Sequence, residues 1–222
     1  MFVVDSYDNA STIMYGKGGF QGARGGPGSD WYVENAIELL DSPTEWYYDA
    51  ASSRLLYFHN ASSGTPPPPG MVFEAPSLLT LVRVNASQAA PARNLRFSGL
   101  GFRDSAASFM EPHSVPSGGD WSLERVAALV FEGVEGLVVD NCTVSRAGGN
   151  GLMLSGYSRD AVLSNNTVRW TGGSALAAWG RTDELSSNGT LGWDATAGDF
   201  PQRTLVAGNL LTEVGVWEKQ AR

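Results

Sequence analysis

Acidic and aromatic side chains are concentrated in two long polar stretches, residues 105–125 and 181–203. The first contains Asp120 and Trp121, and the second contains Trp193 with several carboxylates. Paired carboxylates carry the proton transfers of glycoside hydrolysis, and the flat apolar face of an aromatic ring can stack on a sugar ring. These residue types are therefore those of a site that acts on a polysaccharide.

Lyase chemistry is the alternative, and it would use a basic side chain and a cation that neutralises a uronate carboxylate. Arg103 and Lys219 are the cations available for it. The candidate catalytic residues are Asp120, Glu218, Lys219 and Arg103, and the candidate substrate-binding residues are His113, Trp121, Trp179, Trp193 and Gln220.

Each candidate also has a structural interpretation. Asp120 follows Gly-Gly, where an aspartate commonly hydrogen-bonds to the local backbone, and His113 lies in a loop between two prolines. Trp179 is either a sugar-stacking surface or a cover over the neighbouring insertion. Arg103 and Asp104 are expected to form a local ion pair that supports the first stretch.

A repeated module must position these stretches. Residues 136–156 align with 160–180 at an offset of 24 without a gap. Each copy has two short apolar runs separated by Gly-Gly, which is typical of strand–turn–strand units that bury their apolar faces by stacking. The identical positions are Val138/Val162, Asn141/Asn165, Thr143/Thr167, Val144/Val168, Gly148/Gly172, Gly149/Gly173, Leu152/Leu176 and Gly156/Gly180.

Alternation along each run predicts which side chains face inward. The inward pairs are Val139/Leu163, Val144/Val168, Leu152/Leu176 and Leu154/Ala178, and the solvent-facing pairs are Asp140/Ser164 and Ser145/Arg169. Cys142 and Asn166 share an inward corner, where stacked asparagines can hydrogen-bond along the stack, and Cys142 is expected to be a core residue.

The register extends in both directions. Residues 205–215 place Asn209 at the Asn166 corner and Leu211 at the Val168 position, and residues 95–105 place Phe97, Leu100 and Phe102 inward. The fold class predicted is all-β, a parallel β-helix of about four coils with a repeat of 24 residues and two insertions.

The residues before the coils form a different segment. Residues 1–30 are expected to be an irregular loop, 31–43 a short helix, and 45–60 a β-hairpin. We therefore divide the chain into a cap-like segment, 1–90, and the coils, 91–222. The last strand pattern stops where another strand would follow, so we expect a piece of a longer protein whose open coil end could assemble with itself or with a partner.

Composition excludes several classes of partner. The net charge of −8 argues against nucleic-acid binding, and no apolar run approaches the length of a membrane span. His59 and His113 are far apart and no Cys/His cluster exists, so no metal and no nucleotide cofactor is expected. The acidic loops leave calcium as an alternative, although DxDxDG spacing is absent.

Glycosylation signals indicate a secreted or cell-surface protein. The expected acceptors are the loop-like sequons at Asn60, Asn85 and Asn188. The sequons at Asn141 and Asn165 fall at coil corners, where the turn preference of asparagine explains them equally well.

Motifs along nearly the whole chain resemble a group of eukaryotic right-handed parallel β-helix proteins of the pectin-lyase-like superfamily. The motifs are GGFQGARG, WYVENAIELLDSPTEWYYD, LYFHN, EPHSVPSGGDWSLER, NGLMLSGYSR, ALAAWG and VGVWEKQ, of which PSGGDW and WEKQ are the most specific. The resemblance implies a right-handed coil and a carbohydrate-active protein. It also implies further coils beyond the EKQ motif.

Three functions remain open: a glycoside hydrolase or polysaccharide lyase, a noncatalytic glycan-binding module, and a structural or adhesive glycoprotein. The first predicts that Asp120→Ala and Glu218→Ala each abolish polysaccharide cleavage, measured by product analysis. Unchanged turnover in both variants would remove the two residues from the mechanism.

Overall fold

The computed structural model describes residues 2–8, 13–18, 32–59, 66–111, 124–181 and 196–218. The chain divides into two compact units, one made of Met1–Ala23 with Pro76–Arg222 and the other of Arg24–Ala75. The described part is all-β, with a single 3-10 turn (η1) and no α-helix. No helix among the described residues is long and apolar enough to cross a bilayer.

The described ranges contain eighteen strands. The early elements are β1 Phe2–Tyr7, β2 Ile13–Gly18, η1 Ile37–Leu39, β3 Trp46–Asp49, β4 Arg54–Tyr57, β5 Val82–Asn85, β6 Ala92–Arg93, β7 Arg96–Ser98 and β8 Gly101–Arg103. The later ones are β9 Ala127–Glu135, β10 Val138–Asp140, β11 Thr143–Ala147, β12 Asn150–Arg159, β13 Val162–Ser164, β14 Thr167–Thr171, β15 Leu176–Trp179, β16 Pro201–Gln202, β17 Leu205–Ala207 and β18 Leu210–Thr212.

Two antiparallel hairpins precede the parallel strands. In the smaller unit β3 pairs with β4, which confirms the hairpin predicted within 45–60. The short helix predicted over 31–43 is reduced to η1, because Asn35 has a φ of 56° and Ala36 is extended. The irregular loop predicted for 1–30 is wrong in part: β1 pairs with β2, since each is a six-residue run that contains β-branched or aromatic residues.

The remaining strands form three parallel sheets. The first sheet has the order β17–β13–β10–β7, the second sheet has the order β18–β14–β11–β8, and the wide sheet has the order β15–β12–β9–β5, with β6 and β16 at its margins. The predicted register is confirmed: Val139 pairs with Leu163, and Val144 pairs with Val168. Leu211 in turn pairs with Val168, as the extended alignment requires.

Inward side chains of all three sheets pack into one apolar cluster, built around Phe131 and Leu154, neither of which is exposed at all. Cys142 belongs to it, as predicted. Leu100 and Ala178 lie at the inward positions of the register but are exposed, because each is at or beside an edge strand of the described sheets. Ser145, predicted to face solvent, is buried.

The burial of Ser145 follows from its neighbours. It pairs with Arg103 on one side and with Arg169 on the other, so two long side chains flank a small one. Its residual exposure is 7 %. The alternation of side chains along a strand therefore predicts which face of the strand Ser145 lies on, but not how far the neighbouring side chains bury it.

Buried asparagines satisfy the backbone at the corner between the first and second sheets. The Cys142 N–H donates to Asn166 Oδ1 at 2.9 Å, and the Asn166 N–H donates to Asn209 Oδ1 at 2.9 Å. Asn166 Nδ2 donates back to Val139 O, and Asn209 Nδ2 donates to Leu163 O. This ladder confirms the predicted stacking of asparagines, and it satisfies polar groups whose burial would otherwise be unfavourable.

Each corner recurs as a column of residues with left-handed backbone. The members of each column are 42, 24 and 43 positions apart, and their φ angles lie between 52 and 68°. The columns are Asn94/Gly136/Asp160/Arg203, Gly99/Asn141/Asn165/Gly208 and Asp104/Arg146/Trp170/Glu213. Asn141 and Asn165 thus occupy turns, the alternative interpretation of their sequons. Because arginine and tryptophan rarely adopt this conformation, the stacking overrides local preference.

Gly148 and Gly172 occupy a second kind of repeated position, where successive strand connections nearly touch. A Cβ on Gly148 would lie 2.1 Å from Ala106 O, and a Cβ on Gly172 would lie 2.1 Å from Gly148 O. No side chain fits such a gap, so glycine at both positions follows from the close approach.

Replacement of Asn166 by alanine tests the corner ladder. Asn166→Ala leaves the Cys142 N–H without its acceptor in a buried site and removes the side-chain donor to the Val139 carbonyl, and we expect a loss of about 2 kcal/mol in the free energy of unfolding. The measurement is urea unfolding at equilibrium. The control is Asn165→Gly, since Asn165 is exposed and its φ of 55° suits glycine. Equal losses in the two variants would contradict the ladder.

Candidate functional site on the wide sheet

The outer face of the wide sheet carries two columns of side chains. One column aligns Asn85, Glu132, Ser155 and Trp179, and its neighbour aligns Arg83, Val130, Met153 and Ala177. Val130 and Met153 are buried although they face away from the main cluster, and with Ala127 they form a second apolar cluster against which Trp179 packs. The first column is therefore bordered by apolar cover on one side.

A β-bulge shapes the other side of this column. The β9–β12 register slips by one residue between Ser155 and Ser158, and Gly133 and Gly156 have φ angles of 67 and 58°. Bulges reorient side chains and are frequent beside active sites. Here the bulge brings Tyr157 to a small cleft.

The cleft, which we call the wide-sheet cleft, has a volume of about 290 Å³. This is near the lower end for small-molecule sites. Its lining includes Ser87, Gln88, Glu132, Gly133, Tyr157 and Asp199. Two carboxylates, one aromatic ring and two neutral polar side chains thus converge on one concave surface.

Glu132 and Asp199 lie close to each other. A Cβ built on Gly156 would be 2.9 Å from Asp199 Oδ1 and 3.6 Å from Glu132 Cδ. The distance between Asp199 Oδ1 and Glu132 Cδ therefore cannot exceed the sum of these two distances. Carboxyl pairs of glycosidases are roughly 5–10 Å apart. The absence of a side chain at Gly156 keeps the space between them open.

Arg181 joins the two carboxylates. Its Nη2 donates to both oxygens of Glu132, at 2.8 and 3.0 Å, and its Nε lies 4.0 Å from Asp199 Oδ2. Its backbone N–H donates to the Asp199 carbonyl at 2.8 Å. One arginine therefore fixes the relative position of both acids.

Arg159 positions the segment that carries Asp199. It donates to Gly198 O at 2.8 Å and to Phe200 O at 2.6 Å, the carbonyls on either side of Asp199. Its guanidinium also lies 4.1 Å from the centroid of the Tyr157 ring. The strand β12 thus holds a loop residue in place through one side chain.

The charges around the cleft keep its strand carboxylates ionised. Burial opposes ionisation of Glu132, but hydrogen bonds with Ser155 and Arg181 and the charges of Arg181 and Arg125 outweigh it, so its pKa is lowered. The pKa of Glu135 is also lowered, chiefly by the hydrogen bond that it accepts from Tyr157 and next by the one that it accepts from Arg93. The same Tyr157–Glu135 hydrogen bond raises the pKa of Tyr157.

Arg125 completes the cluster beside Trp179. It donates to Ser155 Oγ at 3.1 Å and to Gly180 O at 2.6 Å, and its guanidinium is 5.7 Å from the Trp179 ring centroid. In a chain of net charge −8, the outer face of the wide sheet therefore concentrates arginines. These cations are matched by the carboxylates of the same face.

Three of the catalytic and substrate-binding candidates from the sequence lie among the described residues, and on different elements. Trp179 is half-buried on β15 and pairs with Ser155, as predicted. Arg103 lies on the second sheet, and its Nε is 3.5 Å from Asp104, which confirms that ion pair; Arg146 also binds Asp104. Glu218 is buried, and its N–H donates to Gly172 O at 2.9 Å.

The glycosylation candidate Asn85 is exposed on β5. Outside the described residues lie Asp120, Lys219, His113, Trp121, Trp193, Gln220, Asn60 and Asn188. Within the described ranges, no group of three or more His, Cys, Asp or Glu side chains is arranged to hold a metal ion.

Sequence reasoning missed Glu132, Tyr157 and Arg159, and it included Asp199 only among the several carboxylates of the stretch 181–203. Glu132 is a lone carboxylate in the apolar run VAALVFEG (126–133), which gave no catalytic pattern. The available signal was its register with Trp179, which becomes visible once β9 is aligned with β12 and β15.

Comparisons with known proteins identified no relative of this chain. No protein-family model matches the chain, and no curated protein or solved structure matches it either. Function therefore has to be argued from the site.

The ionisation of Glu132 makes a pH-dependent prediction. A carboxyl group whose pKa is lower in the folded state than in the unfolded state stabilises the protein at pH values above its unfolded-state pKa. That stabilisation is lost as the pH falls through the folded-state pKa. We expect the stability advantage of the wild type over Glu132→Gln to be largest near neutral pH and to shrink below about pH 4.3. Urea midpoints measured over a pH series check this, and a difference that does not change with pH would contradict it.

Proposed function

We propose that the protein is a right-handed parallel β-helix. Three parallel sheets share one core, and three corner columns recur at the same intervals, which is the pattern expected of a chain that passes from sheet to sheet in every coil. Handedness follows from the general preference of parallel crossovers, of which about 98 % are right-handed. The resemblance noted in the sequence supports the same fold.

We further propose that the protein acts on an extracellular polysaccharide at the wide-sheet cleft, as a glycoside hydrolase. The observation that carries this proposal is the pair of carboxylates, Glu132 and Asp199, that face one cleft across Gly156. Hydrolysis of a glycosidic bond needs one acid to protonate the leaving oxygen and one carboxylate to act as nucleophile or base.

The environment of Glu132 assigns its role, and the role of Asp199 follows by elimination. Glu132 is kept ionised by Arg181 and Ser155, which suits the nucleophile or base. Asp199, carried on the loop opposite, is then the proton donor to the leaving oxygen. Tyr157 offers a ring face to a sugar, while Ser87 and Gln88 can hydrogen-bond its hydroxyl groups.

Lyase chemistry at the same cleft would use Arg181 to neutralise a uronate carboxylate. The carboxylate pair favours hydrolysis, because hydrolysis uses an acid and a carboxylate that face the same glycosidic bond. An exposed sequon at Asn85 supports a secreted or cell-surface location, and it would place a glycan one strand from Glu132.

A noncatalytic glycan-binding module is the second candidate, and one observation favours it. Arg181 engages both oxygens of Glu132, which leaves that carboxylate committed to an ion pair. In this case the cleft would bind a sugar through Tyr157, Ser87 and Gln88 without cleaving it. A structural or adhesive glycoprotein would show neither binding nor cleavage at the cleft.

Substitution of the two carboxylates tests the proposed function. A glycan array identifies a bound polysaccharide, and product analysis then follows its cleavage. Glu132→Gln and Asp199→Asn should each lower the rate of cleavage by about 10²–10⁴-fold while binding is retained. The matched control is Asp104→Asn, which removes an ion-paired carboxylate at the edge of the second sheet and should leave turnover unchanged.

The outcomes separate the candidates. Binding by the wild type without any product would contradict the hydrolase and support the noncatalytic module. Cleavage that survives in both carboxylate variants would contradict the assignment of Glu132 and Asp199. Neither binding nor cleavage across the array would leave the structural glycoprotein.

A further inference from the structure

The core column of the first and second sheets ends on exposed side chains. Val206 pairs with Leu163, and Leu211 pairs with Val168. Leu163 and Val168 are 2 and 1 % exposed, whereas Val206 and Leu211 are 52 and 44 % exposed. The residue types and the inward register are the same, so the difference arises because β17 and β18 are the last strands of their sheets.

The asparagine ladder also ends at this edge. Two corner N–H groups donate to an asparagine side chain one strand further along, first from Cys142 to Asn166 and then from Asn166 to Asn209. Among the described residues no acceptor is found for the N–H of Asn209. The missing group is therefore a side-chain carbonyl at the same corner, one strand spacing (about 4.8 Å) beyond Asn209.

We propose that the edge formed by β17 and β18 binds a polypeptide segment that adds one parallel strand beside each of them, with an asparagine at the corner between. The strands would cover Val206 and Leu211, and the asparagine Oδ1 would accept the Asn209 N–H. Addition of a strand to an open sheet edge is a recurring mode of peptide recognition, in which main-chain hydrogen bonds supply affinity and side-chain positions supply specificity.

A second copy of this chain fits the edge less well. Parallel stacking of two copies would place the opposite edge, β7 and β8, against β17 and β18. The corner residue of that edge is Leu100, whose hydrocarbon side chain cannot accept the Asn209 N–H. The ladder therefore selects a segment with asparagine at the corner.

Two peptides test this proposal. One repeats residues 205–215, LVAGNLLTEVG, and the other is the same peptide with Asn209→Leu, which reproduces the Leu100 corner. Amide hydrogen exchange of the protein is followed by NMR as each peptide is added. We expect the asparagine peptide to protect the Asn209 amide and to bind about tenfold more tightly than the leucine peptide, because only it supplies the acceptor.

A tethered form guards against association of the peptide with itself. The same two segments are joined to the C-terminus of the full chain through a Gly/Ser linker, and protection of the Asn209 amide is measured again. Equal protection by both segments, or none by either tethered segment, would overturn the proposal. Concentration-dependent dimerisation that protects the edge without any added segment would overturn it in favour of a second copy. Because the readout is at β17 and β18, failure here is independent of the wide-sheet cleft.

Discussion

Satisfaction of backbone hydrogen bonds at the buried corner is the constraint on which the larger unit depends. Where the chain turns from the first sheet to the second, the N–H of Cys142 points along the stack rather than into a strand ladder. The amide of Asn166 is inserted there, accepts this bond and donates to Val139 O. At this corner Cys142 thus relies on Asn166 and Asn166 on Asn209, and the ladder ties neighbouring strands of the first and second sheets into one register.

The arrangement of side chains on the outer face of the wide sheet, which carries the wide-sheet cleft, follows from the register of its own strands. Because β9, β12 and β15 are held in register, their outward residues form straight columns, and the single bulge at Gly156 is the place where the columns break. The cleft opens at this break. A partly buried charge without a partner would be unfavourable there, but Arg181 forms ion pairs with both Glu132 and Asp199. The same matching keeps Glu132 ionised, which is the property on which its proposed role rests.

Much of the parallel architecture could be predicted from the sequence, because the repeat of 24 residues fixes which side chains are neighbours along the stack. The inward positions of Val144 and Val168 and the asparagine corner follow directly. Leu100 and Ser145 show the limit: alternation gives the face of a strand, but edge position and the size of neighbours decide exposure. The hairpin of β1 and β2 was hidden by a glycine-rich context that resembles a loop.

The candidate site was harder to predict for a physical reason. Glu132 and Asp199 are 67 positions apart and belong to no common motif. They meet because a bulge shortens one strand relative to its neighbour and because Arg159 holds the second insertion against β12. Neither feature leaves a pattern in a single sequence. The aromatic and acidic stretches 105–125 and 181–203, which the sequence analysis proposed as the site, lie mostly outside the described residues.

The register of the parallel strands is the claim on which both the cleft and the open edge rest. Methyl-labelled NMR tests it most directly, through nuclear Overhauser effects among the side chains of Val144, Val168 and Leu211. Stacking in register predicts cross-peaks between successive members of this series and none between Val144 and Leu211, which would be about 10 Å apart. Absence of the Val144–Val168 cross-peak in a folded sample would contradict the account.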